Sequence, residues 1–156
     1  MPSFSQTRRN PHRPEDMFAL VADVERYPEF LPFCSALRVT RRSPGADGTE
    51  VLVADMQVGY KALKERFTTR VTLDRPGLRI LVEYIDGPFR YLENRWTFRP
   101  AGEGCEIEFF IDYEFRSRML ALVAGAVFDG IFRTFVAAFE RRANELYGAR
   151  TPEAAR

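Results

Sequence analysis

The stretch from Ser117 to Tyr147 constrains every fold open to this chain. It reads as one helix of 31 residues, roughly 45 Å long at about 1.5 Å per residue. Ser117 stands where a hydroxyl caps the first free amides, and Gly148 where a helix ends. On a wheel turning about 100° per residue, Leu120, Val123, Ala124, Val127, Phe128, Ile131, Phe132, Phe135, Ala138 and Phe139 fill one half. Arg118, Asp129, Arg133, Glu140 and Asn144 fill the other. A stripe this wide needs a large apolar partner.

Met119 to Phe139 is also long enough to cross a bilayer. Asp129 and Arg133 near its middle oppose a lone span by about 5 to 7 kcal/mol together. Four apart with the acid first, they suit a solvated helix face instead. Gly125 and Gly130 lie at opposite edges of the apolar face, each costing about 1 kcal/mol against Ala. Close backbone packing or a bend is the simpler cause, and room for a guest is the functional one.

Ahead of this helix, Ala36 to Phe115 is a run of strands punctuated by turns. Leu37 to Arg42, Val51 to Val58, Glu65 to Asp74, Arg79 to Tyr84, Tyr91 to Arg99 and Glu106 to Phe115 are joined by short segments rich in Pro, Gly and Asp. Connections this short imply hairpins and an antiparallel meander. Alternation gives a dry face carrying Leu52, Ala54, Met56 and Val58, then Phe67, Thr69, Val71 and Leu73. Leu92, Asn94, Trp96 and Phe98, then Ile107, Phe109, Ile111, Tyr113 and Phe115, continue it.

Upstream, Phe4 to Arg8 suits a short edge strand. Pro14, Glu15 and Asp16 open a short amphipathic helix through Met17, Leu20, Val21 and Val24. Tyr27 to Phe33, with two prolines and three aromatics, reads as a second short helix or turn folded over apolar surface. The expected assembly is α+β: a curved antiparallel sheet of about seven strands around a long C-terminal helix, with two short helices after the first strand. It forms a single domain over 1–156, with a core of about 3–147 and a frayed tail. A bent sheet and a straight helix leave a gap, which is a candidate pocket.

The formal charge of +1 gives no global field for DNA, and no leader-like apolar run opens the chain, so a cytoplasmic location is expected. Cys34 and Cys105 lack metal spacing and read as free thiols.

Val21-Ala22-Asp23-Val24-Glu25-Arg26-Tyr27-Pro28-Glu29-Phe30-Leu31-Pro32-Phe33-Cys34, then Gly87-Pro88-Phe89 followed by Trp96, and Asp112-Tyr113-Glu114-Phe115 carry a family resemblance. The chain resembles the coenzyme Q-binding branch of the START-like, helix-grip superfamily, often labelled polyketide cyclase/dehydrase. That superfamily also includes a bacterial ribosome association toxin. The resemblance implies a hydrophobic cavity for a polyprenyl quinone, ubiquinone, with no covalent cofactor. It further implies a non-catalytic role in respiratory electron transport, with transient contact to respiratory complexes or to the inner face of the cytoplasmic membrane. It equally implies a protein that binds the large ribosomal subunit and hinders subunit joining, and, third, a polyketide cyclase-like enzyme.

The residues offer little for catalysis or metal binding. His12, the sole histidine, sits among Pro11, Arg13 and Pro14 and reads as a solvated loop residue. Cys34 reads as a buried thiol, and Asp55 and Asp112, the least routine carboxylates, fall on the polar face of their strands. For binding, the candidates are Tyr27, Phe30, Leu31 and Phe33 at the mouth, and Met56, Phe67, Trp96, Phe98, Phe109 and Tyr113 on the sheet. Val127, Phe128, Ile131 and Phe135 complete the set on the helix. Tyr113, Trp96 or Asn94 are the groups that would bond a quinone carbonyl, and Tyr27 to Phe33 is the expected lid. Arg38, Arg41, Arg42, Lys61, Lys64, Arg66 and Arg70 form a candidate RNA-facing patch, diluted by Glu50, Asp55 and Glu65.

Overall fold

Period-two alternation yields seven strands: β1 (Ser3–Asn10), β2 (Cys34–Pro44), β3 (Glu50–Tyr60), β4 (Leu63–Asp74), β5 (Arg79–Asp86), β6 (Phe89–Ala101) and β7 (Gly104–Phe115). The computed structural model describes residues 3–60 and 63–148, so Lys61 and the expected tail beyond Gly148 lie outside the described residues. All pairings are antiparallel, in the order β1-β7-β6-β5-β4-β3-β2. β1 and β2 therefore form opposite edges. With strands about 4.8 Å apart, the chain must travel roughly 29 Å between them. Helix α1 (Pro14–Ala22) and the 3-10 segment Val24–Glu29 make that crossing, with Pro14 in the first turn of α1 and Pro28 inside the 3-10 segment.

The dry face is as alternation places it: every residue named for it above is buried except Met56, which is half-buried. Register shifts in β2, β5 and β6 bend the strands, and a bent sheet can curl around a helix. Near the start of β6, Phe89 packs against Phe115 at 5.0 Å, Phe67 and Phe128 at 5.4 Å, and Tyr113 at 5.8 Å between ring centroids. Gly87 permits this: its φ is +143°, and a Cβ there would stand 2.6 Å from Phe67 Cβ.

Helix α2 (Arg118–Tyr147) starts where Ser117 Oγ accepts the Leu120 N–H at 3.0 Å and stops at Gly148, φ +83°. Ala124, Phe128, Ile131, Phe132, Phe135, Ala138 and Phe139 are buried as the wheel requires, joined by Val136 and Ala143. Leu120 and Val127 are half-buried. Val123 corrects the wheel: it is 64% exposed, because the apolar stripe continues past the surface that the sheet offers. Close packing does not explain the helix glycines either, since a Cβ on Gly125 or Gly130 would meet nothing within 4 Å. Asp129 and Arg133 form the expected pair at 2.9 Å.

Candidate functional site

Between the sheet and α2 lies an apolar cavity of about 60 Å³. Leu37, Ala54, Met56, Phe67, Thr69, Val71, Ile80, Val82, Leu92, Asn94, Trp96 and Ile111 form its sheet wall, Phe132 and Phe135 its helix wall, and Val24 and Tyr27 its cover. Five expected binding residues line it: Tyr27, Met56, Phe67, Trp96 and Phe135.

The other nine do not line it. Phe98 lies parallel to Trp96 at 6.0 Å, Phe109 packs edge-on to Trp96 at 4.8 Å, and Tyr113 packs on Phe132 at 5.1 Å. Phe128 belongs to the Phe89 cluster, Ile131 and Leu31 are buried, and Val127 is half-buried. Phe30 rests on Phe139 at 5.2 Å. Phe33 is exposed with φ +66°, and its carbonyl accepts the Gly59 N–H at 2.9 Å. Thr69, Leu92 and Phe132 share the dry faces already read from the sequence, whereas Ile80 lies on β5, a strand whose faces the sequence reading did not assign. No sequence signal separates a residue that lines a void from one that fills it.

The polar groups of Trp96, Asn94 and Tyr27 in this lining are already engaged, whereas the Thr69 hydroxyl, also in the wall, makes no hydrogen bond among the described residues. Trp96 Nε1 donates to Asn94 Oδ1 at 2.9 Å, and Asn94 Nδ2 donates to the Phe110 carbonyl at 2.8 Å. Tyr27 donates its hydroxyl to the Val21 carbonyl at 2.5 Å. Burial of that hydroxyl, with smaller contributions from Cys34 and Asp23, pushes its pKa up. A ligand-sized pocket is typically about 300 to 1,000 Å³, so a quinone ring enters only if the walls move.

The cover is held at both ends. Tyr27 and Phe30 stand on Phe139 at 5.1 and 5.2 Å. Arg142 bonds Glu29 and places its guanidinium 5.2 Å from the Phe30 ring centroid. Toward β2, Arg42 pairs with Glu25 at 2.9 Å.

His12 is a correction. It is buried, 1% exposed, with Nε2 2.7 Å from Asn144 Oδ1 and its ring 6.1 Å from Tyr147. The prolines flanking it turn the chain inward beneath α2 rather than out into solvent. Both thiols are buried; burial raises Cys34 to about 11 and Cys105 to about 12, which disfavours the nucleophilic thiolate. Asp55 accepts from Thr68 at 2.6 Å on the outer face, away from the cavity, and Asp112 accepts from Tyr91 at 3.5 Å. Among the described residues no group of three His, Cys, Asp or Glu side chains is placed to hold a metal.

The outer face of the sheet divides by charge pairing. Toward β5–β7 most arginines are matched, Arg79 with Asp74, Arg95 with Glu93, Arg99 with Glu106 and Glu108; Arg90, at the start of β6, makes no ion pair among the described residues. In the expected patch, Arg42 and Arg70 are matched as well, to Glu25 and Glu50 and to Glu83. Arg38, Arg41, Lys64 and Arg66 are exposed and make no ion pair among the described residues. The register puts Arg38 opposite Asp55, Arg41 opposite Val53, and Arg66 opposite Gln57, all on the outer face.

A seven-stranded antiparallel sheet curled over one long C-terminal helix, with an apolar cavity between them, defines a START-like helix-grip domain. The chain superposes on a START superfamily protein from Mycobacterium smegmatis with a TM-score of 0.71 and 20% identity, over 92% of this chain and 98% of that one. It belongs to the family described as polyketide cyclase / dehydrase and lipid transport, whose model matches residues 11–140. It is 38% identical to the ribosome association toxin RatA of Escherichia coli over 96% of this chain and 92% of that protein. It is 31% identical to the mitochondrial coenzyme Q-binding protein COQ10 homolog B of Xenopus laevis, over 86% of this chain and 54% of that protein. Neither of these two relatives carries an enzyme's name.

Proposed function

We propose that this chain acts without catalysis by associating with the large ribosomal subunit and hindering subunit joining. The observation that carries this reading is the set Arg38, Arg41, Lys64 and Arg66 on the outer face of β2–β4, unpaired among the described residues. Cations without protein partners are free to neutralise RNA phosphates, and each contact made releases counterions from the RNA. The similarity to ribosome association toxins over nearly the whole of both chains supports the same reading. The test is sedimentation of the purified chain with isolated large subunits across a salt series. Co-sedimentation at low salt that is lost as salt rises, and a fall in 70S particles when the chain is added before subunit mixing, is the expected result. A chain that stays at the top of the gradient at low salt defeats the proposal.

A second reading, binding of a polyprenyl quinone or similar lipid, is favoured by the apolar cavity beneath a latched cover and by the similarity to a coenzyme Q-binding protein. Trp96, the single tryptophan, lines that cavity and serves as the reporter. Added short-chain ubiquinone is expected to quench its emission saturably at about one equivalent. Quenching that only rises linearly with concentration would show collision, not binding.

A further inference from the structure

After Arg118, the first turns of α2 are apolar all round. From Met119 to Phe128 the sequence carries no charged residue. Ala124 and Phe128 turn one face of this segment into the core, while Met119 is 75% exposed, Leu122 85% and Val123 64%. Together with exposed Ala126, these residues recur at i, i+3, i+4 and i+7, a second apolar stripe on the solvent side of the same helix. Soluble helices cover such stripes, and here no element of the chain does so among the described residues.

The surroundings indicate what covers it. Arg116 and Arg118 lie immediately before the stripe, and the Arg116 N–H bonds the Pro88 carbonyl at 2.9 Å, fixing the helix start against the β5–β6 turn. Arg90, Lys64 and Arg66 belong to the same end of the sheet, and none of these five cations makes an ion pair among the described residues. Glu65, Asp86 and Glu114 share that end and reduce the field without matching those cations. Exposed Ile85 and Phe33 lie there too, at the end of β5 and the entry to β2. Apolar side chains that share one end of the fold with cations unpaired among the described residues match the boundary of an anionic bilayer, where acyl chains take the first and phosphates the second.

Length excludes deeper insertion of this segment by itself. Ten residues of helix reach about 15 Å, half of a hydrocarbon core of about 30 Å. A parallel two-fold contact between copies is disfavoured by the same cations, since it would set Arg116 and Arg118 against their own images; an antiparallel one is an outcome of the test below. RNA offers phosphates to the arginines but no apolar phase to Leu122.

We infer that Met119, Leu122 and Val123, flanked by Arg116 and Arg118, dock this protein onto the surface of an anionic membrane. The docking is independent of ribosome association and needs no guest in the cavity. It is tested by co-sedimentation of the full chain with vesicles of phosphatidylglycerol and phosphatidylethanolamine, against vesicles of phosphatidylcholine alone, at low ionic strength. The wild-type chain is expected to pellet with the anionic vesicles. Met119→Ser/Leu122→Ser should weaken that partition at least tenfold, with far-UV circular dichroism and melting unchanged because both side chains stand in solvent. Arg116→Gln/Arg118→Gln should weaken it about twenty-five-fold on anionic vesicles, from about fivefold per cation, and far less on neutral ones. A wild-type chain left in the supernatant, or a Met119→Ser/Leu122→Ser variant that pellets like wild type, overturns the inference. So does a concentration-dependent dimer abolished by that variant, which would assign the stripe to a second copy.

Discussion

The indole N–H of Trp96 donates to Asn94 Oδ1 at 2.9 Å, two residues away on the same face of β6. Asn94 passes the bond outward through its own amide to the Phe110 carbonyl of β7 at 2.8 Å. Strand periodicity makes this possible, because residues i and i+2 share a face. The cavity wall thereby satisfies the Trp96 and Asn94 groups internally, leaving the Thr69 hydroxyl as the wall's unengaged polar group among the described residues. A quinone carbonyl that took its hydrogen bond from Trp96 or Asn94 would first have to displace one of these two bonds.

Replacing Asn94 with Leu strands the Trp96 N–H in an apolar wall. An unsatisfied buried donor costs about 1 to 3 kcal/mol, so the urea midpoint of Asn94→Leu is expected to fall by that equivalent at unchanged m-value. A midpoint equal to wild type would mean that the indole has another acceptor.

The latch on the cover is the second point of leverage. Arg142 holds Glu29 through charge and Phe30 through its ring face, contributions of about 1 kcal/mol each or less at partly exposed sites. Arg142→Ala removes both from one side of the lid. Release of a hydrophobic fluorescent guest from the cavity, followed by stopped-flow, should quicken by about five- to thirty-fold, while the control Arg133→Ala, which removes an ion pair with Asp129 and a ring contact with Phe4 but nothing from the cover, leaves it unchanged. Equal release rates in wild type and Arg142→Ala would place the route elsewhere.

Stability should fall in alkali in a defined window. Cys34 titrates at about 11 in the fold because burial penalises its thiolate, against an ordinary value of 9.0. Below 9 neither state loses the proton, so the buried thiol's contribution is intact. Above it the unfolded chain ionises first, and the contribution drains away as pH rises toward 11. Cys105, raised to about 12, and the buried Tyr27 hydroxyl add in the same direction. Unfolding midpoints measured from pH 8 to 11 should decline less steeply in Cys34→Ala than in wild type. Parallel declines would assign the loss to the other groups.

Much of this architecture was legible because two periods imprint directly on sequence. Leu92, Asn94, Trp96 and Phe98 had to share a face, and Phe128, Ile131, Phe132 and Phe135 had to share another. What escaped depends on contacts between distant segments. His12 is buried by Asn144, 132 positions away, and nothing near Pro11 or Pro14 announces that partner. Val123 obeys the helical period yet stands in solvent, because the period gives a direction and not the extent of the sheet it meets. The cavity is subtler still: Phe98 and Trp96 lie parallel on one dry face, but only Trp96 touches the void. That difference arises from packing offsets smaller than any residue pattern encodes.

The charge division of the outer face yields the sharpest test of the ribosome reading. A cation already matched to a carboxylate gains little from a phosphate, because one favourable contact replaces another; an unmatched cation gains the whole contact. Arg38, Arg41 and Arg66 are unmatched among the described residues, whereas Arg70 holds Glu83 at 3.0 Å. For nucleic-acid binding, the slope of log affinity against log salt falls by about 0.7 to 0.9 for each phosphate contact removed. Arg38→Gln/Arg41→Gln/Arg66→Gln is therefore expected to reduce the magnitude of that slope for large subunits by about 2 to 3, with weaker binding at every salt concentration. Arg70→Gln, on the same strand as Arg66, should leave the slope where it was. If the triple variant and Arg70→Gln behave alike, the unmatched arginines do not face RNA, and association with the ribosome proceeds through another surface or does not occur.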